Sequence, residues 1–288
     1  MFGWTGSSQD VDLLIARKRY GRAIKVLREY LAEDPENIRI RQRLADALLL
    51  DGQTTEAVKI LYPLVDEFVD TGFVAKAIAI LKKMQRIEPG HTIVEERLAT
   101  LVRKRTESTR EILAAPPEPA IPLPPTDRIP LIRLEEEHQD DGFEGFRRSA
   151  LFGHFSEPEL LALIRGFRLQ TYQPGEILVT EGEPGDSLFV IASGSVRVYV
   201  TDPTGRSKQV RTHSQGEFFG EISLLSGQPR SATITCATPC EILELDRRTL
   251  NNIAASSPEV PGIIETYYQR RVNSPEELEV RTSIEIPL

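Results

Sequence analysis

The strongest constraint on how this chain folds is a change of hydrophobic period across one proline-rich stretch. Residues 114–130 hold seven prolines and show neither helical nor strand periodicity. Before them, over residues 11–112, apolar residues recur every three or four positions, the pattern of helices that each bury one face. After them, from residue 151, short alternating runs are broken by glycine and proline, the pattern of antiparallel strands that close on themselves. A chain of 288 residues is long enough for two such units, each with its own core. The expected architecture is multidomain. An all-α helical repeat occupies residues 1–113, a Pro-rich and acidic linker 114–148, a β-roll or jelly-roll barrel with flanking helices 149–273, and a C-terminal tail 274–288. In extended polyproline form the linker spans up to ~50 Å.

Repetition is visible in the helical part. Ala23-Ile24 with Leu27, Ala57-Val58 with Leu61, and Ala77-Ile78 with Leu81 share one local pattern, and Pro35 and Pro89 follow Ala23 and Ala77 at equal distances. This order resembles tetratricopeptide repeats, in which a small alanine lets paired helices approach and proline ends the second helix. The second and third alanines are closer together than the first two, so the array is degenerate, with about three repeats and one helix serving two of them. The breaks predict helices over 9–18, 21–33, 37–50, 54–69, 73–87 and 92–105. Such an array offers a concave surface to a protein partner, and a bundle used for homodimerisation is the plainer reading. It contains no nucleophile, paired carboxylates or metal cluster, so the chain is not expected to be an enzyme.

Charge and rare residues exclude several classes. A net charge of -8 argues against general binding to DNA or to an anionic membrane. The basic groups Arg103-Lys104-Arg105, Arg147-Arg148 and Arg270-Arg271, like the acidic run 135–141, read as solvated surface. No apolar run approaches the ~20 residues that span a bilayer, and the first residues lack a basic region followed by an apolar one, so a cytoplasmic protein is expected. Cys236 and Cys240 fall in predicted strands as buried thiols. His91, His138, His154 and His213 are scattered, without the spacing of a metal site.

In the C-terminal part, strands are predicted over 167–172, 177–181, 188–193, 195–201, 209–213, 232–237 and 240–246, with helices over 157–165, 247–255 and 258–272. Between two of these strands lies Phe218-Phe219-Gly220-Glu221-Ile222-Ser223-Leu224-Leu225, followed by Pro229-Arg230-Ser231-Ala232-Thr233. A glycine lets the backbone approach a ligand, the apolar run opens a helix whose N–H groups face an anion, and the arginine neutralises it. Glu221 has a different task, since a carboxylate repels phosphate but accepts hydrogen bonds from a sugar hydroxyl. Phosphate and sugar held side by side describe a cyclic nucleotide.

The longer series Gly175, Glu181-Gly182, Gly185, Leu188-Phe189-Val190-Ile191, Gly194-Ser195-Val196, Gly216-Glu217-Phe218-Phe219-Gly220-Glu221 and Pro229-Arg230-Ser231-Ala232-Thr233 resembles the cyclic nucleotide-binding domain. That module occurs in the bacterial catabolite activator family and in regulatory subunits of cyclic-nucleotide-dependent kinases. The resemblance covers residues 151–272. It implies that Glu221 accepts the ribose 2′-hydroxyl, that Arg230 pairs with the cyclic phosphate, and that backbone N–H groups of Gly220, Ile222, Ser231 and Ala232 surround its oxygens. Val198 and Val210 would line the apolar wall, a role weighed equally with ordinary core. Tyr267 or Tyr268 on the last helix would stack on the base as a lid. Ser231 favours cAMP over cGMP. About sixteen residues remain after Val272, too few for the DNA-reading helices of the catabolite activators, so output is expected through the repeats, a partner or dimerisation. The function expected is regulatory signal transduction, with ligand binding coupled to protein–protein interaction. The alternative is an adaptor whose barrel no longer binds nucleotide.

Overall fold

A computed structural model describes residues 5–87, 152, 155–202 and 204–272. Helices α1 (Thr5–Ala16), α2 (Tyr20–Glu33), α3 (Ile38–Leu50), α4 (Thr54–Thr71) and α5 (Val74–Ile87) form the N-terminal array. After α6 (Glu157–Gly166) come eight strands: β1 (Arg168–Tyr172), β2 (Ile177–Val179), β3 (Ser187–Ser193), β4 (Ser195–Thr201), β5 (Ser207–Ser214), β6 (Phe218–Phe219), β7 (Thr233–Cys236) and β8 (Cys240–Asp246). Helix α7 (Glu221–Ser226) follows β6, and α8 (Arg247–Ser256) and α9 (Glu259–Val272) follow β8. No described helix is long and apolar enough to cross a membrane.

Five of the six expected N-terminal helices are present within a few residues of their predicted ends; the sixth, over 92–105, lies outside the described residues, as does the proline-rich stretch. The repeated positions do what their pattern implies. Ala23, Ala57 and Ala77 are fully buried, and Leu27, Leu61 and Leu81 lie beneath them in the core. Successive helices pack in order, each turn closed locally: Asn37 caps α3 by accepting from the Ile40 N–H at 3.1 Å, and Gly72 ends α4 in the left-handed conformation.

The strands form two four-stranded antiparallel sheets, ordered β1-β8-β3-β6 and β2-β7-β4-β5. Alternation along the strands sorts their side chains. Phe189, Ile191, Val196, Val198, Phe219, Ile234, Cys236, Cys240 and Ile242 meet between the sheets as the barrel lumen. On the opposite face of the first sheet, Leu169, Leu188, Val190, Ala192, Leu243 and Leu245 join a different cluster. That cluster is shared with the helical array, through Ile78, Ile80, Leu81 and Met84 of α5, and with α6, α8 and α9. The array and the barrel therefore have one continuous core. The two cysteines are buried free thiols, and burial together with the Cys240 neighbour pushes the Cys236 thiol up to about 12.

A charged clasp closes this joint. Glu241, on the outer face of β8, accepts from Lys76 at 3.1 Å and pairs with Lys83, which also reaches Asp46 of α3 at 2.7 Å. Burial alone pushes the Glu241 carboxyl up; Lys76 and Lys83 override it and hold the group well below the usual carboxylate range. Burial likewise opposes the charged form of Lys83, and the Asp46 and Glu241 carboxylates outweigh it. A carboxyl whose folded value lies below its ordinary value of 4.5 stabilises fully above that pH and loses its contribution as pH falls. The stability difference between the wild type and Glu241→Gln in urea should thus be constant at neutral pH and shrink as pH drops through about 4; a difference flat down to about pH 3 would remove this ion pair from the account. Independently, Leu81→Ala should cost about 2–5 kcal/mol in chemical denaturation and exposed Leu50→Ala within about 0.5 kcal/mol.

Candidate functional site

The Gly220-Glu221 motif is assembled where β3, β6 and α7 meet. The two-residue strand β6, which periodicity alone does not predict, pairs Phe219 with Phe189 and Phe218 with Val190. The chain then turns at Gly220, with φ of +85°, into α7. A Cβ there would lie 2.6 Å from the Ser187 carbonyl oxygen and 2.7 Å from the Arg230 guanidinium, so glycine is required by conformation and by space.

Arg230 is brought against this turn from the segment before β7. Its backbone is clamped on both sides, donating to the Glu183 carbonyl and accepting from the Gly182 N–H, each at 2.8 Å. Its side chain is 7% exposed. Nη1 donates to the carbonyls of Ser187 at 2.8 Å and Gly220 at 3.2 Å, and the guanidinium lies 5.3 Å from the centre of the Phe189 ring. Gly185 leaves the room for it, because a Cβ at that residue would fall 2.5 Å from the guanidinium carbon. Burial lowers the Arg230 pKa, and the carboxylates of Asp186, Glu221 and Glu244 oppose that shift. Glu221 opens α7 and is 2% exposed.

Aromatic stacking carries the lumen up to this arginine. His213 stacks on Phe219 with centroids 6.4 Å apart, and Phe219 on Phe189 at 5.2 Å. His213 also faces Glu217 at 3.2 Å through Nδ1. No group of three or more His, Cys, Asp and Glu with metal-binding geometry occurs among the described residues.

The expected site residues fall into four sets. Gly220, Glu221 and Arg230 are brought together. Ile222 is half-buried on α7, while Ser231 is exposed and Ala232 half-buried where the chain enters β7. Val198 belongs to the lumen cluster, with Val210 and Ala232 packed against it, so lumen wall and core coincide at these positions. On α9, Val260 and Ile264 are buried and Tyr268, one turn beyond Ile264, is half-buried; the Tyr267 side chain lies outside the described residues.

Sequence reasoning missed Gly185, Ser187, Phe189 and Arg247. Arg247 opens α8, its N–H donates to the Asp186 carbonyl at 2.7 Å and its Nη2 to the Ser223 carbonyl at 2.5 Å, so it ties α8 to the Gly220 segment. Backbone carbonyl partners leave no trace in residue types, and Gly185 carried only the signal of a turn.

Comparison with known families accords with this geometry. Residues 169–257 match the cyclic nucleotide-binding domain and residues 14–71 the tetratricopeptide repeat. The barrel has the fold of a cyclic nucleotide-binding domain. A cyclic nucleotide-gated potassium channel of Mesorhizobium japonicum is 35% identical over 122 residues, which cover 42% of this chain and 32% of the channel. The cGMP-dependent protein kinase 2 of Homo sapiens is 29% identical over 140 residues, 48% of this chain and 18% of the kinase. Among solved structures, the Catabolite Activator Protein of Thermus thermophilus aligns with a TM-score of 0.41 and 30% identity over 46% of this chain and 62% of its own. The chain spans about a third or less of the length of the curated relatives it matches.

A comparison of Gly220 with Gly175, both left-handed, separates strain from crowding. Gly175 has φ of +86° and open space where a Cβ would lie, whereas Gly220 is crowded by backbone and by Arg230. Gly175→Ala should cost about 1–2 kcal/mol, the left-handed penalty alone, and Gly220→Ala measurably more in the same denaturation series. Equal losses would show that the turn at Gly220 is not tightly packed.

Proposed function

We propose that the chain is a cyclic nucleotide sensor that binds its ligand at Gly220, Glu221 and Arg230 and passes the bound state to a protein partner through its repeat array. The observation that carries this reading is the state of Arg230. Its guanidinium is buried and held by one nitrogen on two backbone carbonyls, while among the described residues no acceptor engages Nε or Nη2. The remaining edge of the fork suits a singly charged phosphate diester. Glu221, buried beside it, suits the ribose hydroxyl, so charge and hydrogen-bond preference orient the nucleotide without base contacts. Backbone N–H groups of Ile222, Ser231 and Ala232 complete the phosphate surroundings, and Val198 and Val210 face the apolar parts of the ligand. Tyr268, half-buried on α9, is the tyrosine assigned to the base.

The protein's ligand is cAMP in preference to cGMP, a reading that rests on Ser231, which lacks the methyl group and the fixed rotamer of threonine. The division at residues 114–148, cytoplasmic action, and output through a protein rather than DNA belong to the same proposal.

Calorimetry on the full chain tests it. Both nucleotides should give heat, cAMP with the lower Kd. Arg230→Ala should weaken binding about 10- to 100-fold, the range of one hydrogen bond to a charged group, and Glu221→Ala should weaken it without abolishing it. No heat with either nucleotide leaves the adaptor reading; equal affinity in Arg230→Ala places the site elsewhere.

A further inference from the structure

Strand β3 serves two sites at once. Its first residue, Ser187, offers the carbonyl that holds Arg230, and Phe189 lies under the guanidinium. Leu188, Val190 and Ala192, on the other face of the same strand, share a core cluster with α5. Strand β8, hydrogen-bonded beside it, repeats the arrangement. Glu244 accepts from the Ser187 hydroxyl at 3.2 Å and acts electrostatically on Arg230. Glu241, on the opposite face, takes Lys76, Lys83 and, at 3.1 Å, the hydroxyl of Ser193 at the end of β3. Lys83 carries the connection on to Asp46 of α3. From Val74 to Leu81 every residue of α5 is buried, so this helix has no solvent face along which to move independently of the sheet.

We propose that the clasp of Glu241 with Lys76 and Lys83 is the joint through which nucleotide binding is coupled to the position of the helical array, with β3 and β8 as the shared elements. This rests on the reading of the barrel as a nucleotide sensor and names its regulation. The physical reason lies in the buried charges. Two lysines and two carboxylates with little access to water are satisfied only in a few geometries, because each misplaced partner leaves a charge desolvated. Packed cores answer a shift by moving between discrete arrangements, not by stretching. When a phosphate draws on Arg230, its hold on the Ser187 and Gly220 carbonyls changes, β3 and α7 readjust, and α5 follows because its contacts to β3 and its ion pairs to β8 cannot lengthen. Linkage makes the effect reciprocal: a partner that prefers one position of the array changes nucleotide affinity by the same factor.

The test uses the full chain with Leu50→Cys on the array and Ile177→Cys on the barrel, both at well-exposed positions, labelled for a spin-label distance measurement with and without saturating cAMP or cGMP. Nucleotide should shift the distance distribution, Glu241→Gln should abolish the shift and change Kd by about 5-fold or more, and Glu241→Asp should restore part of both. K76M/E241L, which removes one cation together with the carboxylate, serves in place of Glu241→Gln if that variant does not fold by circular dichroism. Binding without any change in distance, or a Glu241→Gln response equal to wild type, overturns the coupling and leaves the sensor standing. No binding by the unsubstituted chain removes the sensor and the coupling together.

Discussion

The structure depends on a sheet that is buried on both faces. An antiparallel sheet commonly packs one side on a core and wets the other, and its strands then alternate apolar with polar residues. β3 does not: its first six residues are all buried. One face closes the lumen with Phe189 and Ile191, and the other lies under α5 with Leu188, Val190 and Ala192. A second layer was therefore obligatory on the outer face, and α5 together with α6, α8 and α9 supplies it. The array is a wall of the barrel's own core before it is anything else.

That arrangement explains which parts were legible in the sequence. Local elements were, because each has a short-range cause. The alanine and leucine spacing placed α2, α4 and α5, and turn glycines bounded the strands to within two residues or so. Gly220, Glu221 and Arg230 stood out because their chemistry fits one kind of ligand, and the fold does bring them together. The docking of α5 was less legible, although a signal existed: between Val74 and Leu81 the only charged residue is Lys76, and a helix apolar nearly all round is a buried one. Its partner Glu241 looks like an ordinary outward residue of an alternating strand, and nothing local connects it with lysines about 160 positions away. The hydrogen bonds of Arg230 were hidden for another reason, since its acceptors are backbone carbonyls that any residue carries.

Arg230 and Glu221 also show how a buried cation is accommodated. A buried guanidinium with only aromatic neighbours would be strongly penalised. Here the cation is balanced by three carboxylates, Asp186, Glu221 and Glu244, and by two carbonyl acceptors. The same surroundings set the terms for an incoming anion. A phosphate must compete with carbonyl dipoles for Nη1 or use the rest of the fork, and it must sit far enough from Glu221 that a hydroxyl can come between. On the proposed reading, a sugar phosphate suits this distribution of charge better than a simple inorganic anion does, because its hydroxyl can face Glu221.

The clasp at Glu241 adds a constraint on the kind of motion that such a site can cause. Pulling α5 off the sheet would expose the apolar faces of both, a loss that a ligand-driven coupling of about 1–3 kcal/mol does not overcome. Sliding keeps the apolar contact, because Leu, Ile and Ala surfaces are tolerant of small displacements, while the ion pairs select which displaced positions are allowed. Buried ion pairs add little net stability compared with apolar substitutes but discriminate strongly between geometries. The greasy surface of α5 thus keeps array and barrel joined, and the charges decide in which arrangements they are joined. On the proposed coupling, a signal crossing this boundary is a small change of register between array and barrel.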